Sequence, residues 1–175
     1  EAQDATQSSA LLHEALRDSV QSHLTADVEV GAFLSAGIDS AALVGLMRDA
    51  GAERSRTLTV GFEAFKGRAE DETHLAASAA EHYGTRHTTR WVTRDEFEQD
   101  LPLILDAMDQ PTIDGINVWF AAKAARELGL KVVLSGLGAD ELLGGYPSFN
   151  DIPRWVATLA IPARIPLLGR LSRRA

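Results

Sequence analysis

The sequence predicts an α/β protein: a doubly wound parallel sheet with helices on both faces. Three observations carry this reading. Short apolar runs alternate with stretches of helical periodicity along the chain. Helical stretches stop at glycines, at Gly51, Gly84 and Gly129, as a left-handed C-terminal residue requires. Two turns of small residues, after Leu34 and after Leu134, lead from a strand pattern straight into a helix pattern.

The 175 residues suffice for one domain with a sizeable core. A hydrophobic fraction of 45% and a charged fraction of 24% are those of an ordinary globular chain. The net charge of −8 argues against a nucleic-acid face, which needs a basic stripe. The absence of cysteine excludes disulfides, thiolate metal sites and cysteine nucleophiles. No apolar run approaches the ~18 residues of a membrane span. The polar stretch Glu1 to Ala10 lacks the apolar core of a signal peptide. The expectation is a cytoplasmic protein with no nucleic acid or membrane as partner. Lacking an initiator Met, the chain reads as a piece of something longer.

The elements follow in order. Leu11, Leu12, Ala15, Leu16, Ser19, Val20 and Leu24 share one face of a first helix. Val28 to Ser35 is a first strand, followed by a small-residue turn and a helix ending near Ala50. Thr57 to Phe62 is a second strand. A polar loop, Glu63 to Glu70, leads to a helix from Asp71 to Gly84. Arg86 to Val92 is a third strand. Thr93 and Glu96 have the spacing of a capping box, opening a helix with Phe97, Leu101, Ile104, Leu105 and Met108 on its apolar side. Pro102 lies inside that helix and is expected to kink or split it. Asp109 to Gly115 is a loop, Ile116 to Leu128 a helix, and Lys131 to Ser135 a further strand. A five-stranded sheet is the expected core. After Phe149 the chain mixes Trp155, Val156, Leu159, Ile161, Ile165, Leu167 and Leu168 with Arg154, Arg164, Arg170, Arg173 and Arg174. The expected division is residues 1–150 as a ligand-binding domain and 151–175 as the start of a helical region or a tail.

The two small-residue turns share a pattern. Ser35-Ala36-Gly37-Ile38-Asp39-Ser40 and Ser135-Gly136-Leu137-Gly138-Ala139-Asp140 each place Ser before the turn and Asp at the start of the next helix. Such a turn leaves unpaired N–H groups at a positive helix end, which suits an anion. One turn alone is equally well only a tight turn. If the two strands are neighbours, both turns open where an open α/β sheet binds ligands. Two carboxylates beside phosphate call for a hard cation such as Mg²⁺.

Ser35 to Ser40 resembles the S-G-G-x-D-S signature of the PP-loop ATP pyrophosphatases. Ser135-Gly136-Leu137-Gly138-Ala139-Asp140-Glu141-Leu142-Leu143-Gly144-Gly145-Tyr146 resembles the longer, more specific signature of glutamine-hydrolysing asparagine synthetases and β-lactam synthetases. Thr59 to Phe62, Asp71-Glu72, Gly84 to His87 and Asp109 to Asp114 stand between them as further landmarks, so the resemblance runs from about Leu11 to Phe149. It implies an adenine-nucleotide α-hydrolase-like fold. It also implies a synthetase that uses ATP and Mg²⁺ to turn a small-molecule carboxylate into an acyl-adenylate, releasing pyrophosphate before ammonia or an amine attacks.

The resemblance further implies roles. Ser35, Gly37, Asp39 and Ser40 would hold the pyrophosphate end of ATP. Leu34, Val60, Phe62 and Gly136 would line the adenosine pocket, with Ser135 beside them, and Asp39 and Asp140 would hold Mg²⁺. A glutaminase domain on the N-terminal side and a homodimer are the implied partners. Two residues depart from the pattern. Ala36 replaces the first glycine of the double glycine and fits only where φ is negative. Leu137 stands where asparagine synthetases usually carry Glu, which points to a carboxylate other than aspartate. Another PP-loop ligase and a non-catalytic nucleotide-binding domain are the rival readings.

The remaining polar residues have structural readings. Lys66 and Arg68 are solvated loop charges that could instead touch phosphate. Asp71 and Glu72 oppose a helix dipole, with Asp71 a supporting residue of the site by resemblance. Asp109 and Asp114 lie on a loop near the crevice, Asp114 also being placed to cap a helix. His74, His82 and His87 lack metal-ligand spacing, and Trp91 and Trp119 read as core residues.

Overall fold

A computed structural model describes residues 4–52, 54–110, 112 and 114–160. Its elements are α1 (Ala5–His23), β1 (Val30–Phe33), α2 (Ile38–Asp49), β2 (Arg56–Phe62), a 3₁₀ turn (Glu63–Phe65), α3 (Thr73–Tyr83), β3 (Arg86–Val92), α4 (Arg94–Ala107), α5 (Gly115–Glu127), β4 (Val132–Leu134), α6 (Ala139–Leu143) and α7 (Ser148–Ala160). The chain packs as two bodies, one up to Gly136 and one from Leu137 onward.

In the first body the strands form one parallel sheet in the order β3-β2-β1-β4. The sheet has four strands among the described residues, not the expected five. After β4 the chain enters the short α6 and then α7, so β4 is the outer strand.

Alternation along the strands divides the core into two layers. On one face Ala32 and Leu34 pack with Val20 of α1, Val44 and Met47 of α2, and Ala76 and Ala80 of α3. On the other, Leu58 meets Ala124 and Ala125 of α5, while Val92, Ile104 and Phe120 pack with Phe62 and Phe97. Phe120 meets Phe62 edge-on at 5.7 Å between ring centroids and stacks on Phe97 at 6.0 Å. Helices therefore cover both faces, as a parallel sheet requires.

Several local expectations change. Helix α1 starts at Ala5, capped by Asp4, whose carboxylate accepts the Thr6 N–H at 3.2 Å. Of its apolar face only Val20 is buried, while Leu11, Leu12 and Leu16 stay exposed. Pro102 does not split α4, which runs unbroken from Arg94 to Ala107. Thr93 caps α4 by accepting the Glu96 N–H at 3.1 Å. The Glu96 carboxylate does not return the bond; it binds the Arg90 guanidinium through both oxygens.

That contact belongs to a charge network joining β3, α4 and α5. Arg90 also pairs with Glu127 at 3.1 Å, and Lys123 joins Glu96 at 2.7 Å to Asp100 at 2.5 Å. Trp119 Nε1 donates to Asp100 at 3.0 Å. Hydrogen bonds from Arg90 hold the Glu96 carboxyl below its ordinary range, and those from Lys123 do the same for Asp100. At the amino-terminal edge of the sheet, Glu29 pairs with Arg86 and, at 3.3 Å, with Arg56. No helix among the described residues is long and apolar enough to cross a membrane.

Candidate functional site

The strand order reverses beside β1, which pairs with β2 on one side and with β4 on the other. Val30, Gly31 and Ala32 lie opposite Val132, Val133 and Leu134. In such sheets the crevice outside the strands' carboxyl ends, at the reversal, is the ligand site. The condition set by the two matching turns is met: their strands are parallel neighbours.

The turn after β1 is wired through one hydroxyl. Ser40, only 8% exposed, accepts the Ser35 N–H on its Oγ at 3.0 Å. The same Oγ lies 3.0 Å from the Gly37 carbonyl oxygen, 3.2 Å from that of Ser35 and 2.9 Å from Ser35 Oγ. Ser35 Oγ accepts the Gly37 N–H at 3.1 Å. Gly37 is the N-cap of α2, with φ −71° and ψ 148°, and no side chain caps the helix. The N–H groups of Ile38, Asp39 and Ser40 thus form an open positive end. Among the described residues positive φ occurs only at glycine, so Ala36 meets its backbone condition.

The turn after β4 comes close to this one through Gly136. A Cβ added there would stand 3.0 Å from the Asp39 carbonyl carbon and from the Ser40 nitrogen. A side chain there would have to push the two backbones apart by a few tenths of an ångström. Ser135, just before it, is exposed.

From Leu137 the second body begins. Leu137 itself is 79% exposed. Gly138 (φ 97°) and Gly144 (φ 73°) bracket the five-residue α6, and Gly145 N–H donates to the Asp140 carbonyl at 2.9 Å. The Asp140 carboxylate lies against Gly145, where an added Cβ would sit 1.9 Å from its Oδ1. The Tyr146 hydroxyl donates to Glu141 at 2.9 Å, and its ring stacks on Phe149 at 6.3 Å. The Gly144-Gly145-Tyr146 sequence thus has a local cause: a left-handed stop, room for a carboxylate, and an aromatic anchor.

Asp39 and Asp140 are both half-exposed, and neither carboxylate takes a hydrogen bond or ion pair from a described residue. Among the described residues no three His, Cys, Asp or Glu side chains cluster as a metal cage. Mg²⁺ needs none, since it binds through one or two carboxylates together with substrate phosphates. Each carboxylate, taken by itself, offers oxygen donors of that kind.

Beside the first turn lies a cleft of about 180 Å³ lined by Ser35, Ala36, Thr59 to Phe62, Phe65 and Glu70 to Thr73. It brings together Ser35, Val60 and Phe62. It does not include the side chain of Leu34, which is 2% exposed and packs in the core, nor Gly136. Thr59 ties the region together, its hydroxyl donating to the Leu34 carbonyl. Asp71 accepts the Gly67 N–H at 2.8 Å and the Thr73 hydroxyl at 2.6 Å. These bonds, Thr73's first, hold its carboxyl below the ordinary value. A strand threonine has no distinctive spacing, so the Thr59 bond to Leu34 is not legible within the Thr59 to Phe62 landmark. The Asp71 bond to Gly67 likewise depends on how the loop folds back.

Other candidates find local partners. Lys66 stands over the Trp91 ring, 4.7 Å from its centroid. His87 bridges Thr57 at 3.0 Å and Thr89 at 3.2 Å, and burial lowers its pKa. Asp114 is the N-cap of α5 but makes no side-chain capping bond. Pro111, Ile113 and the tail residues Ile161, Arg164, Ile165, Leu167, Leu168, Arg170, Arg173 and Arg174 lie outside the described residues.

Comparison with known proteins bears on the family and the fold. The asparagine synthase family model matches residues 11–175. A Mycobacterium tuberculosis protein assigned as a glutamine-hydrolysing asparagine synthetase is 44% identical over 138 residues, 78% of this chain and 20% of that protein. Glutamine-hydrolysing asparagine synthetase 1 of Bacillus subtilis is 35% identical over 142 residues, 80% of this chain and 22% of its own length. Asparagine synthetase B of Escherichia coli is 30% identical over 154 residues, 81% of this chain and 28% of its own. The chain thus spans a fifth to somewhat over a quarter of these relatives. An NH₃-dependent NAD synthetase from Campylobacter jejuni, solved with nitrate, superposes with a TM-score of 0.52 at 19% identity, covering 78% of this chain and 60% of that one. That likeness shows the fold, an adenine-nucleotide α-hydrolase-like α/β sheet of the PP-loop type. On its sequence match and its fold together, the chain belongs to the asparagine synthase family.

Proposed function

We propose that residues 1–150 are the ATP-binding part of an amide-forming synthetase, and that 151–175 begin a helical region or tail. One observation carries most of the weight: the uncapped start of α2, held against Gly136 at the reversal of strand order. Backbone N–H groups of the Ser35–Ser40 turn, with the Ser35 hydroxyl, receive the pyrophosphate end of ATP. Ser40 holds the turn in shape from within. Val60 and Phe62, with the backbone at Leu34, Ser135 and Gly136, form the nucleoside end. Asp39 and Asp140 hold Mg²⁺, which when bound neutralises charge on the departing pyrophosphate.

The carboxylate substrate attacks the α-phosphorus of ATP. It forms an acyl-adenylate and releases pyrophosphate; ammonia or an amine then displaces AMP. The relatives' names, glutamine-hydrolysing, support ammonia drawn from glutamine by a glutaminase domain. A cytoplasmic setting and a homodimer are further working expectations. Leu137 favours a carboxylate other than aspartate.

Calorimetric titration of ATP with and without Mg²⁺ tests the reading. Binding that depends on Mg²⁺, and that weakens about a hundredfold in Asp39→Ala, is the expected outcome. ATP binding indifferent to both overturns it. Pyrophosphate release, assayed against a panel of carboxylates and amines, then identifies the reaction.

A further inference from the structure

One wall of the cleft beside Ser35 is built mostly from the connection between β2 and α3. The chain leaves β2 at Phe62, makes the 3₁₀ turn Glu63–Phe65, loops through Gly67 and returns at Asp71 to begin α3. Phe65 and Glu70 to Thr73 line the cleft on this side. Asp71 fastens the loop. Its Oδ2 accepts the Gly67 N–H at 2.8 Å, and its Oδ1 accepts the Thr73 N–H at 3.1 Å and the Thr73 hydroxyl at 2.6 Å.

The cleft floor is tied to the same point. A Cβ added at Gly61 would stand 2.9 Å from the Thr73 methyl and 2.8 Å from the Trp91 ring, so Thr73 and Trp91 press on bare backbone. Phe65 sets its ring edge-on to Phe62 at 6.5 Å. The Thr73 bonds serve the start of α3. The bond to Gly67 does nothing for that helix; it fixes only the loop. The cleft, at about 180 Å³, is smaller than the ~300–1,000 Å³ of a pocket for a whole ligand. It suits a planar base, with the remainder of a nucleotide outside it along the Ser35 turn.

We infer that Asp71 is a positioning residue for the base end of the nucleotide: it clamps the loop 63–70 at the spacing from β2 that admits the base. It has no part in holding the phosphates. The inference rests on the nucleotide-binding reading above.

Two probes separate the ends of the site: AMP, which carries the base, and inorganic pyrophosphate, which does not. Both are titrated calorimetrically with Mg²⁺ into the wild-type protein and into Asp71→Ala, Asp71→Asn and Gly67→Ala. Asp71→Ala is expected to weaken AMP about tenfold and to leave pyrophosphate within about twofold. In Asp71→Asn the amide oxygen still serves Thr73 while the amide nitrogen cannot accept from Gly67, so a smaller loss of AMP binding with the same selectivity is expected. Gly67, at φ 73°, is strained by any side chain, so Gly67→Ala loosens the loop from its other end with the same selectivity. If Asp71→Ala fails to fold, the other two variants decide. Equal weakening of both probes, or of neither, overturns the inference while the nucleotide reading stands. A wild-type protein that binds neither probe overturns both.

Discussion

The turns after β1 and β4 share Ser before and Asp after, yet they are built differently. The first is assembled from hydroxyl and amide groups around Ser40, without a positive φ, and opens the twelve-residue α2. The second turns through left-handed glycines, Gly138 and Gly144, around the five-residue α6. A three-turn helix aligns enough peptide dipoles to attract an anion; a single turn and a half aligns few. The first turn can therefore act through its backbone. The second contributes, through Gly136, the absence of a side chain. A repeated sequence pattern need not be a repeated structure.

Three substitutions break or sharpen this contrast. Gly136→Ala has the largest expected effect, because its methyl meets backbone atoms that cannot rotate away. A loss of about 1–3 kcal/mol in stability, together with loss of ATP binding, is expected from denaturant midpoints and calorimetry. Retention of both would show that the turns do not depend on each other's approach. Ser40→Ala comes next. It leaves the Ser35 N–H without its acceptor, at a cost of about 1–2 kcal/mol. Hydrogen exchange should rise at Ser35 and Gly37, and unchanged protection would mean that the turn is held by something else. Gly138→Ala is the mildest, at about 1 kcal/mol. The space around it is open, so only its left-handed backbone resists. Should Gly138→Ala cost more than Ser40→Ala, the ranking of hydroxyl wiring over glycine geometry is reversed.

What the sequence made legible follows from how local each signal is. The third strand, Arg86 to Val92, and the helix stops at Gly84 and Gly129 were readable because their causes lie within a few residues. The two turns were readable as a matching pair, while the adjacency of their strands was a condition that only the strand order meets. The strand count was not: nothing local distinguishes the end of a sheet from a pause in it. The Arg90–Glu96–Lys123–Asp100 network was hidden behind a capping-box reading of which only the Thr93 half holds. The spacing of Glu96 from Thr93 describes a cap, while its charge answers residues on β3 and α5. Gly145 was legible as a signature but not as a cause, since the carboxylate that needs its space arrives only through the fold.

The Ser40 hydroxyl has one proton and three oxygens within reach, those of Ser35 backbone, Gly37 backbone and Ser35 side chain. Three proton placements therefore share one set of heavy-atom positions. The turn keeps rotational entropy in its hydroxyls while its backbone stays fixed. Moving the proton between these oxygens needs only rotation about the Ser40 Cβ–Oγ bond, with no heavy atom displaced. A turn of this kind can re-aim its polarity toward an arriving charge at almost no cost in strain.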